Sequence, residues 1–238
     1  AAVYIDATYE GDLLARAGVS FTVGREGQDQ YHEDSAGRQK LRPGRCYGFQ
    51  APIDPFDGSG KPLPMIWGGD LAPEGGADSK VMSYCYRLCL TNQTDKSKRA
   101  EIEEPPNYRP EFFEAPRRYM RAHPPEQLTD VNASATAGIL KIYAVAFAGD
   151  GVKADVNSGV FPFATNLVGG SWGYPKGSAS QRSAIIANHQ EYTRGLLWFL
   201  RSDPSVPPAV RAEMASWALC GDEFDDNGNF PFQLYVRE

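Results

Sequence analysis

The chain of 238 residues is poor in the residue types that carry most metal and nucleophile chemistry, with three histidines and four cysteines. His32 lies in a polar loop, His123 precedes two prolines and His189 falls on an apolar helical stripe, a scatter that does not build a histidine-rich metal site. Cys46, Cys85, Cys89 and Cys220 do not spell a disulfide framework. Cys85 and Cys89, four apart in YCYRLCL, are too widely spaced for CxxC redox chemistry and lack a second ligand pair for zinc, so they read as buried thiols. Positive charge is also scarce: 24 Lys and Arg against 30 Asp and Glu give a formal charge of -6, which argues against nucleic acid or an anionic membrane as partner. No apolar run approaches the ~20 residues that span a bilayer. No basic-then-apolar leader stands ahead of Ala1, and with sequons at Asn92 (NQT) and Asn132 (NAS) both cytoplasmic and secreted locations stay open.

Phosphate-binding loops are missing too. DGSGKPLP fails as G-x-G-x-x-G at Leu63 and fails as a P-loop because Pro55 stands where the first glycine belongs. GGSWG at 169–173 has the spacing of the G-x-S-x-G of serine hydrolases, but it falls in a stretch that reads as irregular loop rather than a strand-to-helix turn and is not assigned as a nucleophile elbow. The acidic run DEFDDNGN places Asp225, Asn227 and Gly228 as an EF-hand loop would, but Leu234 occupies the twelfth position, where a bidentate carboxylate is needed. That run reads as a solvated turn, and no metal ligand set is assigned.

What the chain does have is material for a core, at 42% hydrophobic and 12% aromatic residues. VYID at 3–6 reads as a strand, followed by a helix over EGDLLARAG closed at Gly18. Residues 24–80 are dense in proline and glycine and read as loops and short strands. VMSYCYRLCL at 81–90 reads as a buried strand, and EFFEAPRRYMRAH as a short helix with Pro116 inside it. ILKIYAVAFAGDG from 139 reads as a strand, whereas KADVNSGVFPF and NLVGGSWGYPKG look like irregular, site-forming loops. The strongest helix spans SASQRSAIIANHQEYTRGLLWFLRSDP, with Ser180 as its cap, apolar residues from Ile185 to Leu200 at helical spacing, and Pro204 ending it. SVPPAVRAEMASWALCG predicts another helix, opened by Pro207 or Pro208 and closed by Gly221, and the tail turns at Asn227-Gly228 before a strand-like LYV.

Several of these stretches together resemble one family. VYIDATYEGDLLARAGVSFTVGRE, YCYRLCLTN, KADVNS and, above all, the 50 residues from His189 to Glu238 are similar to FAD-dependent oxidoreductases of the glutathione-reductase-like flavoprotein group, in the branch labelled xanthan-lyase-like. The resemblance implies a fold of α/β to α+β class, with residues 1–26 a strand-turn-helix piece of the FAD-binding fold and 27–238 a substrate or cap region. It implies FAD as cofactor and hydride transfer from a small, carbohydrate-like substrate. It also places Tyr9 where the family's ATG-like motif has glycine, and it puts the glycine-rich fingerprint upstream of this sequence. The 238 residues would then be a central portion, completed by flanking segments as a separate chain or by a second copy. VYIDA, apolar on both faces, would otherwise stay exposed and make the chain sticky.

By the same resemblance Asp6, Thr8 and Asp12 are expected at the cofactor edge. On the substrate side, polar chemistry within the matching stretches singles out His189, Tyr192 and Arg87 as catalytic and Lys153, Asp155, Asn157 and Trp172 as substrate-binding. A reading of another class makes the chain a non-catalytic carbohydrate- or protein-binding module, with Trp67, Trp172 and Tyr174 as an aromatic platform. A polysaccharide lyase would need a base and a charge-neutralising group, and no spacing singles out such a set.

Overall fold

A computed structural model describes residues 3–40, 49, 52–130, 138–159 and 164–237. Its centre is a six-stranded sheet of β1 (Leu88–Thr91), β2 (Arg99–Ala100), β3 (Gln127–Asp130), β4 (Gly138–Ala148), β5 (Gly151–Gly159) and β6 (Ala218–Cys220). The order is β2-β6-β1-β5-β4-β3, antiparallel except for the β3–β4 pair. This mixture of helices with a small, mainly antiparallel sheet belongs to the expected α/β to α+β class.

The strand expected from residue 139 is one arm of a hairpin, and the segment expected to be an irregular loop, KADVNS, is the other. The reason is a two-residue alternation: Ala154 and Val156 are buried in the core, while Lys153 and Asp155 lie half-buried on the opposite face. The hairpin turns through Gly149, whose φ of 58° suits glycine, and the Asp150 carboxylate accepts from the Thr94 amide at 3.1 Å and from its hydroxyl. Of the strand expected over 81–90, only Leu88–Thr91 joins the sheet; Cys85 makes a single bridge to Tyr235, in the tail.

The long helix is present as α4 (Ala179–Ser202), followed by Asp203 and Pro204. Its start differs by two residues from the expectation. Ser178, not Ser180, forms a capping box: its Oγ accepts from the Gln181 amide at 3.3 Å, and the Gln181 side chain accepts from the Ser178 amide at 2.8 Å. The buried face of α4 brings Leu196, Leu197, Phe199 and Leu200 into one core with Leu88, Leu90, Ala154 and Val156 from the sheet. Phe113 stacks on Phe199 at 5.1 Å and on Tyr192 at 6.0 Å. Phe113 immediately precedes α3 (Glu114–Ala122), which tolerates Pro116 because the first turn's amides have no helical acceptor to lose. The second predicted helix is shorter than expected: α5 (Pro208–Ser216) stops where residues 218–220 pair with β1 and β2. Gly221 donates to the Lys98 carbonyl at 2.8 Å and caps no helix.

At the front, Val3–Asp6 forms no strand. Among the described residues it has no neighbour to pair with, and Val3, Tyr4 and Ile5 stay 73%, 76% and 83% exposed. The following turn is well made. The Asp6 carboxylate accepts from the Thr8 amide and hydroxyl at 3.0 and 2.7 Å and from the Leu14 amide at 3.0 Å, which anchors α1 (Asp12–Arg16), and Gly18 closes it with φ of 72°. Beyond a short helix, α2 (Gln28–Tyr31), the described part of the proline- and glycine-rich region is loop, fastened where Arg25 grips Asp78 and where Gly37 packs against the backbone of Gly75. Cys85 and Cys220 are buried and Cys89 is half-buried; Cys46 and the Asn132 sequon lie outside the described residues. No helix among the described residues is long and apolar enough to cross a membrane.

Candidate functional site

A cavity of about 340 Å³ opens where the front of the chain, the start of α4 and the tail meet. Phe21, Val23, Val81 and Tyr84 give it an apolar wall, and Glu10, Asp12, Arg182 and Arg237 give it two charges of each sign. Arg182 organises the polar rim. It donates to Glu10 at 3.0 Å and Asp12 at 2.8 Å, and to the carbonyls of Tyr174 and Pro175 at 3.1 and 2.9 Å. The second Glu10 oxygen accepts from the Tyr174 hydroxyl at 2.9 Å, and burial together with that bond pushes the phenol's pKa well above its ordinary value. Tyr9, where the resemblance expects glycine, donates to the Val236 carbonyl at 2.5 Å. Arg237 donates to the Ser83 carbonyl at 3.0 Å and to Asn166 at 2.6 Å. Chemically the cavity can hold a small ring between aromatic and aliphatic surfaces and hydrogen-bond its polar substituents from both sides.

The three residues expected at a cofactor edge gather here. Asp12 lines the cavity, while Asp6 and Thr8 shape the turn that carries Tyr9, Glu10 and Gly11 into it. The hydrogen bonds from Thr8, then Leu14, lower the Asp6 pKa.

The other expected residues fall in three places. Arg87, Lys153, Asp155 and Asn157 share the sheet face opposite the core, as strand alternation requires. There Arg87 pairs with Asp155, Asn157 donates to Asp155 at 3.4 Å, and Lys153 is held by Asp222 and Glu223, each at 2.8 Å, which raises its pKa. His189 and Tyr192 lie in the core on α4, 1% and 3% exposed. The Tyr192 hydroxyl donates to the Ala164 carbonyl at 2.7 Å; His189 Nδ1 pairs with the Ile185 carbonyl at 2.8 Å, and its Nε2 has no partner among the described residues. Burial lowers the His189 pKa. Trp172 meets Trp67 edge-on at 4.9 Å, with the Lys80 ammonium 5.3 and 5.4 Å from the two ring centres, beside a second cavity of about 350 Å³ that Lys176 also lines. Thus the cofactor-edge set converges with residues that sequence reasoning did not single out, Glu10, Arg182 and Arg237. For Glu10 the signal was its place beside Tyr9; for the two arginines, 55 residues apart, there was none.

The family model described as FAD dependent oxidoreductase matches residues 1–238, and the chain belongs to that family. Comparison with curated proteins and with solved structures gives no match. The family implies FAD, and the described residues can be tested against it. A diphosphate needs a glycine-rich turn opening into a helix after a strand. Here α1 follows no strand, is five residues long and places Asp12 in its first turn, where a phosphate would meet like charge. The described residues do not fit the diphosphate of FAD, and the cavity lies at the small end of the size range of ligand pockets. Among the described residues no group of three or more His, Cys, Asp or Glu could hold a metal ion.

Proposed function

We propose that this chain forms the substrate-side wall of a FAD-dependent oxidoreductase that oxidises a small, carbohydrate-like molecule, with hydride passing to the flavin. The observation that carries the reading is the cavity that joins the Asp6–Asp12 turn to Arg182 and Arg237. When bound, FAD supplies the hydride acceptor. The chain's own residues bind and orient. Glu10, fixed by Arg182 and Tyr174, accepts a substrate hydroxyl, Arg237 donates to another oxygen, and Phe21, Val23 and Val81 exclude water from the ring. Asp6, Thr8 and Asp12 stand at the edge turned toward the cofactor, and the exposed Val3–Ile5 stretch faces the rest of the FAD fold. His189 and Tyr192 touch no substrate in this reading, and the Arg87 cluster lies on the other side of the sheet.

The test is calorimetric titration of the full chain with a panel of sugars and polyols. Binding of at least one of them is expected, weakened at least tenfold in Glu10→Gln. No binding, or binding insensitive to Glu10, would overturn the proposal.

A second, non-catalytic reading rests on the Trp67–Trp172 corner under Lys80, a platform suited to a saccharide. Saccharide binding by flavin-free chain, lost in Trp67→Ala, would favour it; equal binding by that variant would discard it.

A further inference from the structure

The strand pairing places two thiols opposite each other outside the cavity. Leu90 faces Leu219 and Thr91 faces Ala218 across β1 and β6, so the next antiparallel pair in register is Cys89 with Cys220. Residues directly opposite in such a ladder have Cα atoms about 4.5–5.5 Å apart, inside the roughly 4.4–6.8 Å range that a disulfide spans. Leu90 and Leu219 are buried together on the core face, so strand alternation puts the Cys89 and Cys220 side chains together on the opposite face, and both thiols are free. They differ in access: Cys89 is half-buried, whereas Cys220 is 0% exposed. The Lys153 ammonium lies on the same face, held by Asp222 and Glu223, and the neighbouring Cys220 thiol, donating toward the Cys89 sulfur, lowers the Cys89 pKa against burial and the Glu223 carboxylate. The contact with Cys89, together with burial, raises the Cys220 pKa.

We propose that Cys89 and Cys220 are a redox-active pair that closes into a reversible disulfide between β1 and β6 by exchange with a low-molecular-weight disulfide. The Cys89 thiolate attacks one sulfur of the small disulfide, forms a mixed disulfide and expels the first thiolate, which is protonated by the proton Cys89 has lost. Cys220 then gives up its proton and attacks the Cys89 sulfur; the Cys89–Cys220 bond forms and the second thiolate leaves and is protonated. Two protein thiols lose two electrons, and one small disulfide becomes two thiols. The accessible thiol captures the oxidant and the buried one resolves the adduct, and neither step requires the strands to part.

The experiment treats the full chain with oxidised glutathione, alkylates the remaining thiols and reads intact mass and linked peptides. Of the four cysteines, two are expected to escape alkylation, with a mass loss of two hydrogens, one peptide pair joining Cys89 to Cys220, and full reversal by dithiothreitol. In Cys220→Ser the glutathione adduct should persist on Cys89, and in Cys89→Ser neither adduct nor link should form at Cys220. Should Cys220→Ser not fold, the linked peptide in the unaltered chain decides alone. Four alkylated thiols, a link through Cys46 or Cys85, or glutathione left on Cys89 of the unaltered chain would overturn the proposal.

Discussion

His189 should make the stability of this protein fall with acid well before any carboxylate does. Its imidazole is 1% exposed, only Nδ1 is hydrogen-bonded among the described residues, and burial holds its pKa below the ordinary value near 6.5. Above that value both folded and unfolded chains carry it neutral, and stability is undiminished. Below it the unfolded chain takes up a proton that the folded chain refuses, so stability drops as pH falls toward the folded-state pKa. One proton sets the slope at no more than about 1.36 kcal/mol per pH unit. From pH 6.5 to 5.0 the ceiling is therefore about 2 kcal/mol, which at a urea dependence of about 2 kcal/mol per molar lowers the unfolding midpoint by about 1 M. Asp78, held low by its hydrogen bond from Arg25, loses its contribution only as pH falls through about 4 and below, outside this window. Urea titrations at half-unit steps should show a decline that vanishes in His189→Gln, whatever that variant's stability at pH 7.5. A flat profile in the unaltered protein, or the same slope in the variant, would refute the reasoning.

Three more outcomes follow. Tyr192→Phe should cost about 1–2 kcal/mol in thermal or urea unfolding, because the Ala164 carbonyl keeps its burial and loses its donor; flavin or substrate affinity should not change. Arg182→Ala should release Glu10, Asp12 and two carbonyls at once, so hydrogen exchange of the Ala17 and Gly18 amides should quicken at least tenfold, while the exchange of β4 and β5 amides stays as it was. Gly37→Ala should destabilise the 24–78 loops by about 2 kcal/mol or more, since its φ is 69° and an added Cβ would sit 2.2 Å from the Gly75 carbonyl oxygen, read as faster proteolysis there.

The parts of this fold that could be read directly are those whose signal is local. The apolar period of α4 and the proline that follows it are contained within one stretch; the Ser-x-x-Gln box at Ser178 lies in the same stretch, although the cap expected there is Ser180. KADVNS misled because its strand character lies in the two small or branched residues between polar ones, and the polar ones suggested a site. VYID misled in the opposite direction: its residues favour a strand, but pairing needs a neighbour, and none is present among the described residues. The resemblance identified the family because a motif travels as a contiguous string. The cavity does not. Its walls come from separate stretches of chain, and no periodicity at Arg182 or Arg237 announces that both will line one cavity.

The bond from Tyr9 to Val236 joins residues 227 apart. At a synthesis rate of roughly 5–20 residues per second, the front turn waits about 10–45 s for its partner to be made. Through that interval Phe21, Val23 and Val81 lack the tail side of their cavity, which is when a chaperone or a neighbouring nascent chain has most opportunity to bind them. Abundance in the cell should therefore respond to changes at Tyr235, Val236 and Arg237 more strongly than the equilibrium stability of the finished protein does.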